Sequence, residues 1–313
     1  MLVVEYGDVE YAPGIFDPPL ATWGGIGASA SYFIVQSQPV PDAKNATAFV
    51  LAGKVVGGSS AINGQFFDRP SRHDLDAWAA CGGSGKNKWD WKDVFPFYKK
   101  SVNFTAPPAA AVQKYNYTWD ASVYGPGLIY SSFPPFLWAD HHIVRGAWKD
   151  VGVPERRECA GGDKDGLCWI PISQHPVTAR RSHAGVGHYT AVNATRPNYD
   201  LLVKHQVVRV VYPKGPKHGP PVVELRSLVD NTLINITAKA EVMLAAGVFH
   251  TPTILQRSGI GKRSLLETAN ISVVIDLPGV GSNFQDHSGP AVSWNCSYRP
   301  APFKDLNLFP GSH

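Results

Sequence analysis

The stretch that decides the reading is residues 53–70, GKVVGGSSAINGQFFDRP. Two adjacent glycines, Gly57 and Gly58, precede two small hydroxyl residues, Ser59 and Ser60. Asn63 and Gly64 follow after a short apolar step. Glycine lets a main chain approach a ligand closely and takes backbone angles that other residues resist. Ser and Asn set short donors and acceptors beside that exposed backbone. A helix starting near Ser59 would aim its first N–H groups at an anion such as a pyrophosphate. GGSS alone also reads as a helix cap after a tight turn.

Toward the N-terminus, MLVVEYG at 1–7 reads as a buried strand of β-formers ending in an acid and a glycine. In a dinucleotide-binding fold the second strand ends in Asp or Glu, whose carboxylate accepts bonds from ribose hydroxyls. Glu5 has that position; an ordinary strand-end carboxylate is the other reading. The G-x-G-x-x-G turn expected about 20 residues earlier is not in the sequence, before the acid or downstream. The expectation is a chain that begins inside the first βαβ unit. Residues 8–52, rich in Pro, Gly and Ser, read as irregular.

Toward the C-terminus, SRHDLDAW (71–78) and WDWKDVFPFYKK (89–100) predict short amphipathic helices, with Trp78, Trp91, Phe95 and Tyr98 as packing residues. Residues 101–175, rich in Pro, Tyr and Trp, predict a subdomain of sheet and loops. His141 and His142 are adjacent, so their side chains diverge, and they are not read as metal ligands. TARRSHAGVGHYTA (178–191) predicts a helix with a small-residue face. RPNYDLLVKHQVVRVVYP (196–213), VVELRSLVD and TLINITA predict antiparallel strands. In EVMLAAGVFHTPTILQRSGIG (241–261), MLAAG predicts a strand closed by Gly247, then a helix capped by Thr251 with Pro252 in its first turn and a glycine stop. A strand–Gly–helix crossover is what a parallel nucleotide-binding sheet needs.

The bulk composition is that of a globular chain. Of 313 residues 44% are hydrophobic and 17% charged, enough for a substantial core. A net charge of +4, scattered along the sequence, does not call for a nucleic-acid partner. KGPKHG at 214–219 reads as a solvated hairpin turn. No apolar run approaches the roughly 18 residues of a membrane span. The four cysteines, Cys81, Cys159, Cys168 and Cys296, form no C-x-x-C pair, which argues against zinc. Cys159 and Cys168 flank a Gly/Asp-rich loop and read either as a local disulfide or as free thiols. Seven N-x-S/T triplets start at Asn45, Asn103, Asn116, Asn193, Asn235, Asn270 and Asn295. They point to a secreted glycoprotein, although no signal peptide precedes them.

Residues 53–70 closely resemble the first signature of the glucose-methanol-choline (GMC) family of FAD-dependent oxidoreductases, fungal type. Residues 241–261 resemble the second, with Gly247, Thr251, Pro252, Ile254, Leu255 and Ser258-Gly259-Ile260-Gly261 at matching positions. Val248 stands where the family places a small residue. LPGVGSNFQDH (277–287) resembles the next family segment, including Asn283, Asp286 and His287. The resemblance implies an α/β chain, α+β overall, with a Rossmann-like FAD-binding domain and a second, antiparallel-sheet substrate domain, both incomplete. The implied segments are 1–100 for the first part of the FAD domain, with 29–56 as a lid-like loop; 101–177 for the substrate domain; 178–292 for the second part of the FAD domain; and 293–313 for the start of a second substrate segment.

The resemblance further implies FAD as cofactor, held by Glu5, Gly57, Gly58, Ser59, Asn63, Gly64, Val207 and Gly247. Val207 would present its backbone to the adenine, although a valine in an ordinary meander is the other reading. It implies oxidation of a small-molecule alcohol or fungal metabolite by hydride transfer to flavin N5, with oxygen or a quinone as acceptor. The family's C-terminal catalytic histidine motif is not found, so no catalytic residue is assigned, and His287 reads as a structural donor. A fragment lacking both ends, weakly active or inactive, is the expectation. Two alternatives stand beside it: a non-redox cyclase on the same fold, like versicolorin B synthase, and a catalytically silent glycoprotein.

Overall fold

The computed structural model describes residues 1–9, 31–82, 89–138, 140–212 and 219–286. The start of the lid-like loop, most of the KGPKHG turn, His287, Asn295, Cys296 and the segment 293–313 lie outside the described residues. The strands are β1 (Leu2–Val4), β2 (Tyr32–Gln36), β3 (Phe49–Gly53), β4 (Val102–Thr105), β5 (Ile129–Ser132), β6 (Asp200–Leu202), β7 (His205–Val211), β8 (Val222–Ser227), β9 (Leu233–Thr237), β10 (Ile260–Gly261) and β11 (Ile275–Asp276). The helices are α1 (Arg72–Cys81), α2 (Trp91–Ser101), α3 (Ala109–Tyr115), α4 (His141–Asp150), α5 (Gly247–Arg257) and α6 (Arg263–Thr268). The mixture is that of the α/β class.

The described residues form two compact units, one of 1–9, 31–59 and 193–286, the other of 60–192. These breaks fall elsewhere than the sequence-read segments because α1 and α2 pack with the residues that follow them.

In the first unit β1 pairs in parallel with β6, Val3 opposite Leu201, and β7, β8 and β9 form an antiparallel sheet. MLVVEYG is thus a strand, but not a buried one. Leu2 is exposed and β1 carries a partner on one edge. The segment read as irregular holds a hairpin, β2 on β3, with Ile34 opposite Leu51. The strand predicted over MLAAG does not form: residues 241–246 have no ladder partner, and a strand exists only as one member of a pair. Helix α5 begins at Gly247 itself, so Thr251 and Pro252 lie inside it and Thr251 is not its cap. The glycine stop is present. Gly259 takes φ 79° and its N–H donates to Gln256 O. Ser258 then docks the helix: its Oγ accepts from Val210 N at 2.8 Å and donates to Ile254 O at 2.6 Å. Leu225 and Val210 form the buried side of the sheet there.

In the second unit the two predicted helices form. Ser71 and Asp74 make a reciprocal capping box on α1, and Asp90 caps α2. Trp91 is buried and stacks on Phe95 at 4.9 Å. Trp78 is instead exposed, its ring set edge-on to Trp89 at 6.2 Å, because Leu75 is the residue α1 buries. Strands β4 and β5 are parallel with α3 between them in sequence. The antiparallel pairing near them is confined to single bridges, Ser132 to Ile172 and Asn103 to Pro126. The helix predicted over 178–191 is helical only from residue 184, because Arg181 bridges to Gln174 in extended backbone and Ala179 turns left-handed. His141 lies on Trp169 in a stack at 5.1 Å, which gives it a packing partner. Cys159 and Cys168 are joined in a disulfide, resolving the two readings of that pair.

Arg69 holds this unit together. It is 6% exposed, and its Nη1 donates to Val123 O at 2.8 Å and Ala160 O at 3.1 Å. Its guanidinium also lies against Phe95, Tyr98 and Tyr124 at 5.9, 5.7 and 5.2 Å. Burial pulls its pKa down, but an arginine stays charged. Arg69→Ala should lower stability by about 3 kcal/mol in urea unfolding, since carbonyls are stranded and cation–π contacts are lost. Arg69→Lys should recover only part, because an ammonium lacks the planar fork.

Candidate cofactor site

Six of the eight residues expected at the cofactor fall in the first unit. Glu5 follows β1 and is fixed by its own main chain: its N–H donates to Leu202 O at 2.9 Å and its carbonyl accepts from His205 N at 3.1 Å. Its carboxylate Oε1 accepts from Gly7 N at 2.7 Å. Burial raises the Glu5 pKa, and that N–H donor opposes the rise. His205 begins β7, so Val207 stands two residues beyond Glu5's backbone partner, beside an irregularity in the β7–β8 register.

Gly7 is where the strand end meets the glycine loop. A Cβ on Gly7 would lie 2.1 Å from Lys54 O, so only glycine allows the crossing. Asp8 and Val55 then form a parallel bridge, and Val56 N donates to Asp8 O at 3.1 Å. The loop beyond it folds back on β3. Gly53 N donates to Ser59 Oγ at 3.1 Å, and a Cβ on Gly53 would reach within 2.2 Å of Gly58 C. The helix expected near Ser59 is a single 3-10 turn, Gly58–Ala61. Gly57 and Gly58 take φ 102° and 54°.

Phe33 of the hairpin joins this region to the start of α5. Its ring meets Tyr6 at 4.8 Å and His250 at 4.6 Å, and Lys54 Nζ lies 5.6 Å from its centroid. His250 is in the first turn of α5, three residues after Gly247. Gly247 takes φ 80°, and neither it nor Gly58 has a heavy atom within 4 Å of where a Cβ would stand. Both glycines therefore leave room that no side chain among the described residues fills.

Asn63 and Gly64 lie in the second unit. Asn63 Oδ1 accepts from Gln65 N at 3.0 Å and from Arg181 Nη1 at 2.7 Å. Ser60 Oγ accepts from Ala184 N at 3.1 Å. Sequence reasoning missed Gly7, Phe33, Lys54 and Arg181, because each acts through a partner remote in sequence. Gly7 was visible as the glycine after a strand-end acid. Among the described residues no group of three or more His, Cys, Asp or Glu is set to hold a metal.

The chain matches the GMC oxidoreductase family model over residues 22–289. It is a GMC oxidoreductase chain. The dehydrogenase xptC of Emericella nidulans is 33% identical over 309 residues, 96% of this chain and 47% of that relative. Versicolorin B synthase stcN of the same species is 31% identical over 244 residues, 76% and 37% of the two chains. A solved fungal aryl-alcohol oxidase superposes with a TM-score of 0.90 at 59% identity, covering 98% of this chain and 51% of that one. This GMC chain thus spans about half the length of the relatives it matches, or less. FAD is the cofactor of the family, and the residues present fit it. The strand-end carboxylate, the positive-φ Gly58 and Gly247 with open space among the described residues and the uncapped first turn of α5 are all suited to a dinucleotide.

His183 lies in the same buried segment as Arg181, 2% exposed. Its Nδ1 accepts from Gly185 N at 3.2 Å. Burial, with the Arg181 charge behind it, lowers its pKa to about 4. An unfolded histidine titrates near 6.5, so the unfolded chain binds the extra proton first. The stability His183 contributes is therefore full above pH ~6.5 and is lost progressively toward pH ~4. The melting temperature should fall across that window, and His183→Gln should flatten the fall in a pH series of thermal melts.

Proposed function

We propose that this chain forms the cofactor-holding part of an FAD-dependent alcohol oxidoreductase. The observation that supports the reading is the crossing at Gly7, which brings the chain just after Glu5 against Lys54 and Val55, at the start of the loop that carries Gly57 and Gly58, within one unit. Glu5 accepts bonds from the ribose hydroxyls of the ADP half. Gly57, Gly58 and Ser59 let the backbone approach the dinucleotide, Val207 offers its main chain to the adenine, and Gly247 opens α5 toward it. Asn63 and Gly64 supply the remaining contacts, assigned on the resemblance of their stretch to the family signature. FAD, when bound, supplies the hydride acceptor for oxidation of a CH–OH group, and the protein's part is placement and electrostatics. The proposed substrate is a small alcohol or fungal metabolite, with oxygen or a quinone as electron acceptor.

The proposed setting is the secretory pathway. The disulfide favours an oxidising compartment. Asn45, Asn116 and Asn270, which start N-x-S/T triplets, are exposed and left-handed, as open turns require. No helix among the described residues is long and apolar enough to cross a membrane. The second reading, a non-redox cyclase, is favoured by the likeness to versicolorin B synthase.

Titration of FAD into the purified chain, followed by flavin fluorescence, tests the proposal. Saturable quenching is expected, and Glu5→Ala should weaken it about tenfold or more, the loss of charge-assisted bonds. No saturable binding by the unaltered chain, or none lost in Glu5→Ala, contradicts it. With a converted substrate, hydrogen peroxide or a reduced acceptor accumulating with product marks the oxidoreductase, and product without either marks the cyclase.

A further inference from the structure

We propose that Arg181 is a positioning residue that orients Asn63 as a hydrogen-bond donor toward bound FAD, which rests on the assignment of Asn63 to the cofactor. Arg181 is 3% exposed. Its Nη1 donates to Asn63 Oδ1 at 2.7 Å and to Ser60 O at 3.4 Å. Arginine has no acceptor, so the Asn63 atom facing it must be the amide oxygen. Gln65 N donates to the same oxygen at 3.0 Å, so two donors fix the amide's flip. The Asn63 NH2 is then the end turned away from this pair, and it can only donate.

The arginine is itself held in place. Its backbone bridges to Gln174, Ser182 N donates to Ser173 O at 2.9 Å, and Ser182 Oγ accepts from Tyr130 N at 2.9 Å. Ser173 N donates to Gln65 O at 2.8 Å, and Ala184 N donates to Ser60 Oγ at 3.1 Å. Residues 60–65 and 173–184 thus form one pinned frame, and the Asn63 side chain is fixed from both. Burial lowers the Arg181 pKa to about 10, which leaves it cationic at neutral pH. A cation on the amide oxygen polarises the amide and strengthens its N–H donors. The acceptor suited to such a donor is an electron-rich carbonyl or ring nitrogen, the kind of group that a flavin presents.

A double-mutant cycle on FAD affinity tests this, using Asn63→Ala, Arg181→Gln and both together in the full chain, with circular dichroism and thermal melts as the check of folding. Arg181→Gln should weaken FAD binding about tenfold, and Asn63→Ala by a similar factor. In the Asn63→Ala background the arginine change should then add almost nothing, since it acts through the amide. Arg181→Lys keeps the charge and folding, and should recover part of the affinity. The bound-flavin absorption spectrum should shift in Arg181→Gln and return toward that of the unaltered chain in Arg181→Lys. Effects that simply multiply in the double variant, or an unchanged affinity and spectrum in a folded Arg181→Gln chain, overturn the positioning role alone. Failure of the unaltered chain to bind FAD overturns it together with the cofactor assignment on which it rests.

Discussion

The main chain of Gly7 passes so close to that of Lys54 that no side chain fits between them. This approach joins the strand that leads into Glu5 to the start of the glycine loop. On one side of the crossing is β1 with the Glu5 carboxylate at its end. On the other is the turn through Gly57 and Gly58. A larger residue at position 7 would force apart two backbones that are also joined by the Asp8–Val55 bridge. Phe33 extends the contact by touching Tyr6, next to Glu5, and His250, in the first turn of α5. The residue after Glu5, Lys54 before the glycine turn and the first turn of α5, far apart in sequence, thereby meet at one aromatic ring.

The second unit is built on a different principle. Arg69 donates to the backbone carbonyls of Val123 and Ala160 and lies against three aromatic rings, so one cation organises a loop-rich region. The disulfide closes the loop that Arg69 grips, and Gly162 in that loop has no room for a Cβ beneath the Trp91 ring. Arg181 plays a comparable part nearer to Asn63. Both arginines are buried, and both spend their donors on oxygens of neutral residues. Such side chains fix backbone geometry where regular strands and helices are short.

Much of this was legible in the sequence, for local reasons. Helices α1 and α2 were legible from their amphipathic spacing, because the pattern lies within a few turns of chain. The antiparallel strands β7, β8 and β9 were legible from their β-branched runs. The left-handed backbone at Gly57, Gly58 and Gly247 was legible because positive backbone angles leave few residue choices. What was not legible depended on partners. MLAAG has strand composition but no pairing neighbour among the described residues, and residues 32–53 have hairpin pairing but loop-like flanks. Thr251 looked like a cap because Thr-Pro favours one, yet Gly247 starts the helix a turn earlier. Trp78 had helical spacing but lies exposed, with Trp89 as its ring neighbour. The roles of Gly7 and Arg181 follow from atoms 47 and 118 positions away, at Lys54 and Asn63. No pattern within a short window carries that information.

The central claim is that Glu5, the Gly57-Gly58 turn, Val207 and Gly247 act as one nucleotide subsite. Backbone amide NMR of the chain during titration with ADP addresses it directly, since ADP carries the adenosine and pyrophosphate without the flavin. The account predicts that the amide signals of Gly7, Gly57, Gly58, Val207 and Gly247 shift together along one saturation curve. Signals that stay still at these positions, or that move only in residues 60–192, would contradict it.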